Sequence, residues 1–421
     1  PVGPAGQPAH PVRAEQAERI PPLAPPALGH PTALEHDVLD SAVGEATARG
    51  EPGLAGAVEH SSTKRLRLIR PPRTPPSKTK PNQPRRSGVG GNQSITSSPP
   101  TGILNAQIEF GVFGADRVKL LNAIRARLRL APDCEITLEA NPGTFEKDRF
   151  RAFRAAGVTR LSIGVQSFND AHLKALGRVH NSDQAMAAVE EAQSAFDTFN
   201  LDVMYALPGQ SLADLTQDIQ TALSFKPPHI SIYHLTIEPN TMFAKHPPVL
   251  PEDDDAYAMM DLITDMTGAA GLQRYEVSAY AKPGHRCWHN LNYWQFGDYL
   301  GIGAGAHSKL SFAHRVMRYV RYREPQLYLV HALQGAPVTQ YAEVAREELP
   351  FEYMLNALRL KEGFSLADYM ARTGLAMTSI QQGLAHAEAK QLIARDLNRV
   401  WPTERGFDFL SDLQALFLAD R

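Results

Sequence analysis

Cysteine is scarce in this chain of 421 residues, which contains only Cys134 and Cys287. Two thiols far apart in sequence exclude a disulfide framework and argue against a tetrahedral zinc site. No apolar run approaches the ~20 residues that a membrane-spanning helix needs, and no signal segment opens the chain. The formal net charge of -2 does not point to nucleic acid as a partner. We expect a cytoplasmic protein without a transmembrane segment. Any membrane association would have to be peripheral.

Aromatic residues are missing from the start of the chain, where no Phe, Tyr or Trp precedes Phe110. Methionine and cysteine are missing there too, and 18 of the 32 prolines lie in residues 1–100. Such a segment cannot bury enough apolar area to offset the entropy of ordering it. We therefore expect residues 1–110 to be disordered. Because the chain begins at Pro1 and its first methionine is Met186, we also expect a fragment or an altered gene product.

From Phe113 onward, segments with helical apolar spacing alternate with short apolar runs. Helices are predicted at Asp116–Leu130, Thr144–Ala156, Ser182–Phe196 and Ser211–Phe225, and strands at Glu135–Ala140, Leu161–Gln166, Asn200–Leu207 and His229–Pro239. Asn181 is a candidate N-cap with Gln184 three residues on. Regular alternation of this kind indicates βαβ units and a parallel sheet. With right-handed crossovers it predicts an α/β fold, a barrel or partial barrel, over residues 111–335.

The pattern changes again in residues 336–421, where helices are predicted at Glu352–Leu360, Ser365–Thr373 and Met377–Lys390. A turn-rich end follows them. Three short helices and a small hairpin predict a winged-helix-like α+β domain. A DNA-binding domain of this shape needs a basic recognition helix, whereas Ser379–Ala387 reads SIQQGLAHA. Nucleic-acid binding is therefore not expected.

Polar residues interrupt the apolar strands at three places. Glu139 and Gln166 each close a strand, and Asp202 lies early in its strand. Helix capping would explain loop residues such as Asn141, but not carboxylates inside strands, because a buried carboxylate is costly unless it is paired. The carboxyl ends of parallel barrel strands meet at one mouth. We expect Glu139 and Gln166 on one rim, with Asp202 pointing into the same cavity and Arg178 in reach.

The segment HRCWHNLNYWQFGDYLGIGAGAHS, residues 285–308, combines a histidine, two adjacent aromatic residues and a glycine-rich turn. His289, Tyr293 and Trp294 could stack on and ligate a flat, apolar, metal-bearing molecule. Taken alone, the segment is better explained by a buried strand pair with aromatic core residues and a hydrogen-bonded histidine. If it is a strand, Tyr293 and Trp294 point to opposite faces, so one would line a pocket and the other anchor the segment.

The motifs taken together resemble one family. HNxxYW and GDYLGIGAGAHS, downstream of LEANPGT, LSIGVQSFN, LGRVH and DVMYALPGQ, closely resemble the HemW haem-chaperone branch of the radical-SAM family. The resemblance covers roughly residues 113–421. It implies haem as ligand, with His289 on the iron, Tyr293 and Trp294 shaping the pocket, and His307 and Cys287 as alternative ligands. It also implies that S-adenosylmethionine (SAM) is held by the following residues: Glu139, Gln166, Arg178 and Asp202, with Arg178 on the methionine carboxylate.

The chain departs from the family pattern in its first part. Family members carry a CxxxCxxC loop that holds a [4Fe-4S] cluster and a GGGTP loop that contacts SAM, and this sequence has neither. Two lone thiols cannot supply three clustered ligands. We expect a partial barrel without its first strands, no cluster and no reductive cleavage of SAM. The edge at Glu135–Ala140 should then be unpaired.

Three functions stay open at this point. The first is a haem chaperone that hands haem to apo-haemoproteins such as respiratory enzymes. The second is a radical-SAM enzyme similar to oxygen-independent coproporphyrinogen III oxidase, which would need the cluster. The third is an inactive, disrupted member of the family. The resemblance leaves a homodimer open.

Overall fold

The computed structural model describes residues 64–69, 107–112, 117–128, 130–142, 149–239, 241–312 and 314–418. The strands are β1 Lys64–Ile69, β2 Gln107–Val112, β3 Glu135–Ala140, β4 Arg160–Gln166, β5 Phe199–Tyr205, β6 His229–His234, β7 Gln273–Arg274, β8 Ala279–Ala281, β9 Tyr299–Gly303, β10 His307–Phe312, β11 Arg315–Arg321, β12 Val338–Glu343, β13 Phe364–Ser365, β14 Ile393–Arg395 and β15 Arg399–Pro402. The α-helices are α1 Arg117–Arg127, α2 Arg149–Ala155, α3 Asp170–Ala175, α4 Ser182–Ala195, α5 Leu212–Ser224, α6 Met242–Lys245, α7 Asp253–Ala269, α8 Trp288–Trp294, α9 Pro325–Leu333, α10 Leu349–Ala357, α11 Leu366–Thr373, α12 Gln381–Ala389, α13 Glu404–Asp408 and α14 Leu410–Ala415.

Twelve of these strands form one sheet in the order β12-β11-β10-β9-β2-β1-β3-β4-β5-β6-β8-β7. Strands β3 to β6 are parallel neighbours, and helices connect them along the chain. Strand β2 is parallel to β9, whereas β1, β8 and the remaining pairs run antiparallel. The predicted α/β architecture with a parallel sheet is confirmed.

The four parallel strands have one apolar and one polar face. Alternation places Ile136 and Leu138 of β3, and their equivalents in β4 to β6, in the main hydrophobic core. The other face is mostly polar and carries Glu135, Thr137 and Glu139 of β3, Arg160 and Ser162 of β4, Asn200 and Asp202 of β5, and His229 and Ser231 of β6. This polar face is where chemistry can be placed.

Two helices that follow these strands begin as the sequence predicts. Asn181 caps α4 by accepting from the Gln184 N–H, and the Gln184 side chain accepts from the Asn181 N–H in return. Ser211 caps α5 in the same reciprocal way with Asp214. Capping fixes where each helix begins.

The structure corrects two expectations about the first part of the chain. Strand β1 lies between β2 and β3, where Leu66 pairs with Leu138. The edge of β3 is therefore paired, and the expected exposed edge is wrong. The expectation of disorder over residues 1–110 is wrong for β1 and for residues 107–110 of β2. The rest of that segment lies outside the described residues.

The C-terminal part forms a second core. Helices α10, α11 and α12 precede the β14–β15 hairpin, and β13 pairs with β15. The three predicted helices and the hairpin are confirmed, except that the third α-helix begins at Gln381, after a 3-10 turn at Met377–Ser379. The Tyr353 ring contacts the rings of Phe364 and Tyr369 within this core and that of Phe296, which follows α8. Among the described helices, none is both long and apolar enough to cross a membrane.

Candidate functional site

The first candidate site is a rim at the carboxyl ends of β3 and β4. A Cβ atom at Gly164 would lie 2.9 Å from Asn141 Oδ1, 3.0 Å from Gln166 Nε2 and 3.2 Å from Arg178 Nη2. Arg178 donates to Asn141 Oδ1 at 3.0 Å and to the Gly164 carbonyl at 3.1 Å. Gln166 has a φ of 69°, a left-handed backbone that such residues rarely adopt. Three polar side chains therefore converge above a glycine that leaves them room.

Two carboxylates lie on the polar face beside this rim. Glu139 forms an ion pair with Arg67 of β1. Asp202 accepts from Ser162 Oγ at 3.0 Å and from Asn200 Nδ2 at 2.8 Å. Burial, and then the charge of Glu139, raise the pKa of Asp202 to about 6.

Two of the four residues predicted for SAM, Gln166 and Arg178, meet at the rim, and the other two, Glu139 and Asp202, lie on the polar face beside it. Burial lowers the pKa of Arg178, while the charge of Asp202 opposes that shift. The charge of Glu139 raises the pKa of Asp202. The side chains of Gln166 and Arg178 both lie next to Gly164. Their predicted proximity agrees with this geometry, and their binding role stays a prediction.

The second candidate site surrounds the histidine of HNLNYW. His289 lies in the first turn of α8, and Cys287 is the N-cap residue. The His289 ring is buried, with Nδ1 3.0 Å from Cys287 Sγ and Nε2 3.1 Å from Arg67 Nη1. Burial, and then the charge of Arg67, lower the pKa of His289, so the ring is neutral at pH 7. A neutral imidazole is the form that ligates metals.

A buried ion pair at the amino ends of β3 and β4 holds this second site together. Arg160 Nε donates to Glu135 Oε2 at 2.9 Å, and its Nη2 donates to the carbonyl of His285. Glu135 Oε1 lies 3.7 Å from His289 Nδ1 and accepts from the Trp288 N–H at 3.2 Å. Burial raises the pKa of Glu135, but Arg160 and His289 outweigh it and lower that pKa to about 2. The polar face thus fastens α8 to the sheet.

The two aromatic residues of the motif have different surroundings. Because the segment is a helix, His289 and Tyr293 lie four residues apart on one side of it. The Tyr293 ring meets that of Tyr299 edge to face with 4.9 Å between centroids. Trp294 packs beside a buried cluster that includes Leu291, with the Arg359 guanidinium 4.2 Å from its ring centroid. Trp294 therefore anchors α8 in the core, and the role of Tyr293 in a haem pocket stays a prediction.

Other candidate residues in the same segment have clear positions. Cys287 is buried against His289, whereas His307 is exposed at the start of β10. His285 Nδ1 lies 3.1 Å from Thr198 Oγ1. A Cβ at Gly301 would lie 2.1 Å from the carbonyl oxygen of His307. The close approach of β9 to β10 therefore explains why the glycine-rich turn needs this glycine.

A chain of buried hydrogen bonds, which the sequence reading missed, joins the two ends of the polar face. Asn200 Nδ2 donates to Asp202, and its Oδ1 lies 2.7 Å from His229 Nδ1. His229 Nε2 lies 2.9 Å from Tyr275 Oη, which also accepts from the Cys287 N–H at 3.3 Å. In the sequence, the polar residues at alternate positions of β5 and β6 could have indicated this series of hydrogen bonds.

Comparison with known proteins extends this description. The chain matches the family models described as the Radical SAM superfamily over residues 111–222 and the HemN C-terminal domain over residues 344–409. It is 46% identical over 303 residues to the haem chaperone HemW of Escherichia coli, covering 72% of this chain and 79% of that protein. The haem chaperones HemW of Haemophilus influenzae and Bacillus subtilis are 42% and 33% identical, over 73% and 72% of this chain and 80% and 81% of theirs.

A solved structure supports the same fold. The structure of coproporphyrinogen III oxidase (HemN) from Escherichia coli, a radical SAM enzyme, superposes with a TM-score of 0.60. The match covers 71% of this chain and 73% of that one at 18% identity. At this level of identity, the likeness shows the fold alone.

Proposed function

Because the chain belongs to the HemW family of radical SAM proteins, we propose that it is a haem chaperone, which binds haem and passes it to recipient apo-haemoproteins. The observation that carries this proposal is the similarity to three haem chaperones along about four fifths of their length. Respiratory enzymes are the recipients we propose, in a cytoplasmic setting with peripheral membrane contact. Two free cysteines fit a reducing compartment.

His289 is the haem ligand that we propose. Its neutral ring can donate a nitrogen lone pair to iron, and Tyr293 on the same side of α8 can cover part of the porphyrin. In the present conformation Nε2 faces Arg67, so ligation through this nitrogen requires the guanidinium to move. Arg67 also pairs with Glu139, and it can therefore leave His289 without losing its ion-pair partner.

We further propose that the rim holds SAM. Arg178 donates to neutral oxygens of Asn141 and Gly164, and among the described residues no carboxylate lies within ion-pair distance of it. A half-buried guanidinium in this position suits the methionine carboxylate. Gln166, Glu139 and Asp202 would accept hydrogens from the ammonium and ribose groups. SAM, when bound, would supply a sulfonium and a carboxylate there.

The residues present do not fit a [4Fe-4S] cluster. Such a cluster needs three clustered cysteines, and Cys134 and Cys287 are the only two in the chain. No step through a cluster is therefore assigned to this chain, and the loss of the family's first barrel strands remains our interpretation. The same shortage counts against an activity like that of coproporphyrinogen III oxidase. An inactive, disrupted family member remains the alternative function, and a homodimer remains a separate proposal about assembly.

The test is a haem titration followed by absorption spectra of the full chain and two variants. We expect His289→Ala to lower haem affinity at least about tenfold, since an axial bond is lost. His285→Ala is the matched control, because it removes an imidazole four residues away that bonds to Thr198. Far-UV circular dichroism should be the same for all three. Spectra of His289→Ala that match the parent would reject His289 as a ligand, and absence of haem binding in the folded parent would reject the function.

A further inference from the structure

Three side chains of different chemistry meet at the amino end of β3. Cys287 Sγ lies 3.0 Å from His289 Nδ1, that nitrogen lies 3.7 Å from Glu135 Oε1, and the carboxylate oxygen lies 4.0 Å from the sulfur. All three residues are buried. Within the part of the chain that the structure describes, no other set of three such groups comes this close.

We propose that Glu135, Cys287 and His289 form a binding site for a divalent cation of the Zn²⁺ class. A thiolate, an imidazole and a carboxylate are ligands that Zn²⁺ takes together, with water in the fourth position. Bond lengths typical of Zn²⁺ give tetrahedral ligand–ligand distances of roughly 3.4 to 3.6 Å. The observed distances of 3.0 to 4.0 Å lie within about half an ångström of these. The wide sequence spacing argued against such a site, and folding brings the three residues together.

The charges around the site can accommodate the ion. Arg160 donates to Oε2 of Glu135, and Oε1, which accepts from the Trp288 N–H, would offer the cation its other lone pair. As the metal–sulfur bond forms, the Cys287 thiol releases its proton to solvent. The thiolate then balances one positive charge of the ion, and Glu135 shares its charge between the ion and Arg160.

Arg67 opposes the site in its present form. Its N–H group points at His289 Nε2, so this nitrogen is the acceptor and Nδ1 carries the ring proton. A cation on Nδ1 would move the ring proton to Nε2, and two donors would then face each other. A side chain that accepts from Nε2–H would instead support the bound ring, as outer partners of ligating histidines do. Replacing Arg67 with glutamine supplies such an acceptor and removes one positive charge.

This site needs no haem, so it stands or falls separately from the chaperone proposal. Both proposals use His289, however, and a cation on Nδ1 leaves the ring proton on Nε2, where it occupies the lone pair that iron would need. Bound Zn²⁺ should therefore compete with haem. A haem titration with and without one equivalent of Zn²⁺ would measure that competition once each ligand binds alone.

The experiment is a Co²⁺ titration of the full chain, with Co²⁺ displaced afterwards by Zn²⁺. We expect one ion per chain, with a sulfur-to-cobalt charge-transfer band that Cys287→Ala abolishes and Cys134→Ala retains. His289→Ala should weaken binding, and Arg67→Gln should tighten it by roughly 10-fold or more. Circular dichroism checks that each variant folds. Arg67→Gln keeps all three ligands, so its cation affinity tests the site even where Cys287→Ala is unfolded. The site is rejected if the folded parent and Arg67→Gln bind no stoichiometric ion, or if the band depends on Cys134.

Discussion

His229 donates a hydrogen bond of 2.7 Å from Nδ1 to Asn200 Oδ1 in the buried polar face of the sheet. The direction is fixed because Asn200 must turn its Nδ2 toward the Asp202 carboxylate, which in its ionised form can only accept. Burial lowers the pKa of His229 well below its usual range, so its ring is neutral and Nε2 accepts from Tyr275. Each hydrogen bond thus sets the direction of the next one, in a series that runs from the Cys287 N–H to the Asp202 carboxylate.

The first prediction concerns the far end of this chain. Tyr275→Phe should lower the free energy of unfolding by about 1 to 3 kcal/mol, because His229 Nε2 and the Cys287 N–H both lose their partner in a buried region. Urea denaturation measures the change. Tyr341→Phe is the control, since that side chain is 61% exposed. Equal stabilities of the two variants would show that the buried chain contributes nothing measurable.

The second prediction concerns the pH dependence that Asp202 confers. Its pKa in the folded protein, about 6, lies above the ordinary value of 3.8. Between these values the folded protein binds more protons than the unfolded chain, so stability falls as pH rises through this window. The loss amounts to at most about 3 kcal/mol above pH 6.

Asp202→Asn mimics the protonated acid and should remove this loss. In chemical denaturation experiments, we expect the free energy of unfolding of the variant, relative to that of the parent, to increase from pH 4 to pH 7. Above pH 7 this difference should be constant. A difference that does not change with pH would contradict the raised pKa of Asp202.

The third prediction runs in the opposite direction for Glu135. Its pKa is lowered to about 2 in the folded protein, from an ordinary value of 4.5. The ionised form therefore stabilises the fold above pH 4.5, and that contribution, about 3 kcal/mol, is lost as pH falls toward 2. Stability of Glu135→Gln should be lower at pH 7 and should approach that of the parent in acid. Glu388→Gln, which removes a surface ion pair to Arg395, should show little of this dependence.

Local pattern predicted much of the framework. The strand Glu135–Ala140 and the capping box at Asn181 are confirmed as written, because alternation and capping depend on neighbours in sequence. The helix predicted at Thr144–Ala156 is described only from Arg149 to Ala155. The strand predicted at His229–Pro239 ends at His234. Ends of elements depend on tertiary contacts as well as on pattern.

Long-range pairing explains what the sequence did not reveal. The Arg160–Glu135 pair and the His289–Glu135 contact join residues from different strands and a distant helix, and no local rule connects them. Strand β1 was missed because its segment lacks aromatic residues and lies among prolines, although alternate Leu66 and Leu68 were visible. The segment around His289 fits a strand or a helix by spacing alone, and packing of Trp294 selects the helix.

The last prediction tests the rim. Gly164→Ala places a methyl group 2.9 Å from Asn141 Oδ1 and 3.0 Å from Gln166 Nε2, so both side chains and Arg178 must shift. If SAM binds there, its affinity measured by equilibrium dialysis should fall at least about tenfold, because one well-placed polar contact is worth about that factor. Gly268→Ala in α7 is the matched control, since nothing lies within 4 Å of its added atom. Parent-like affinity in a folded Gly164→Ala protein would place the SAM site elsewhere, because the convergence on Gly164 is what defines the rim.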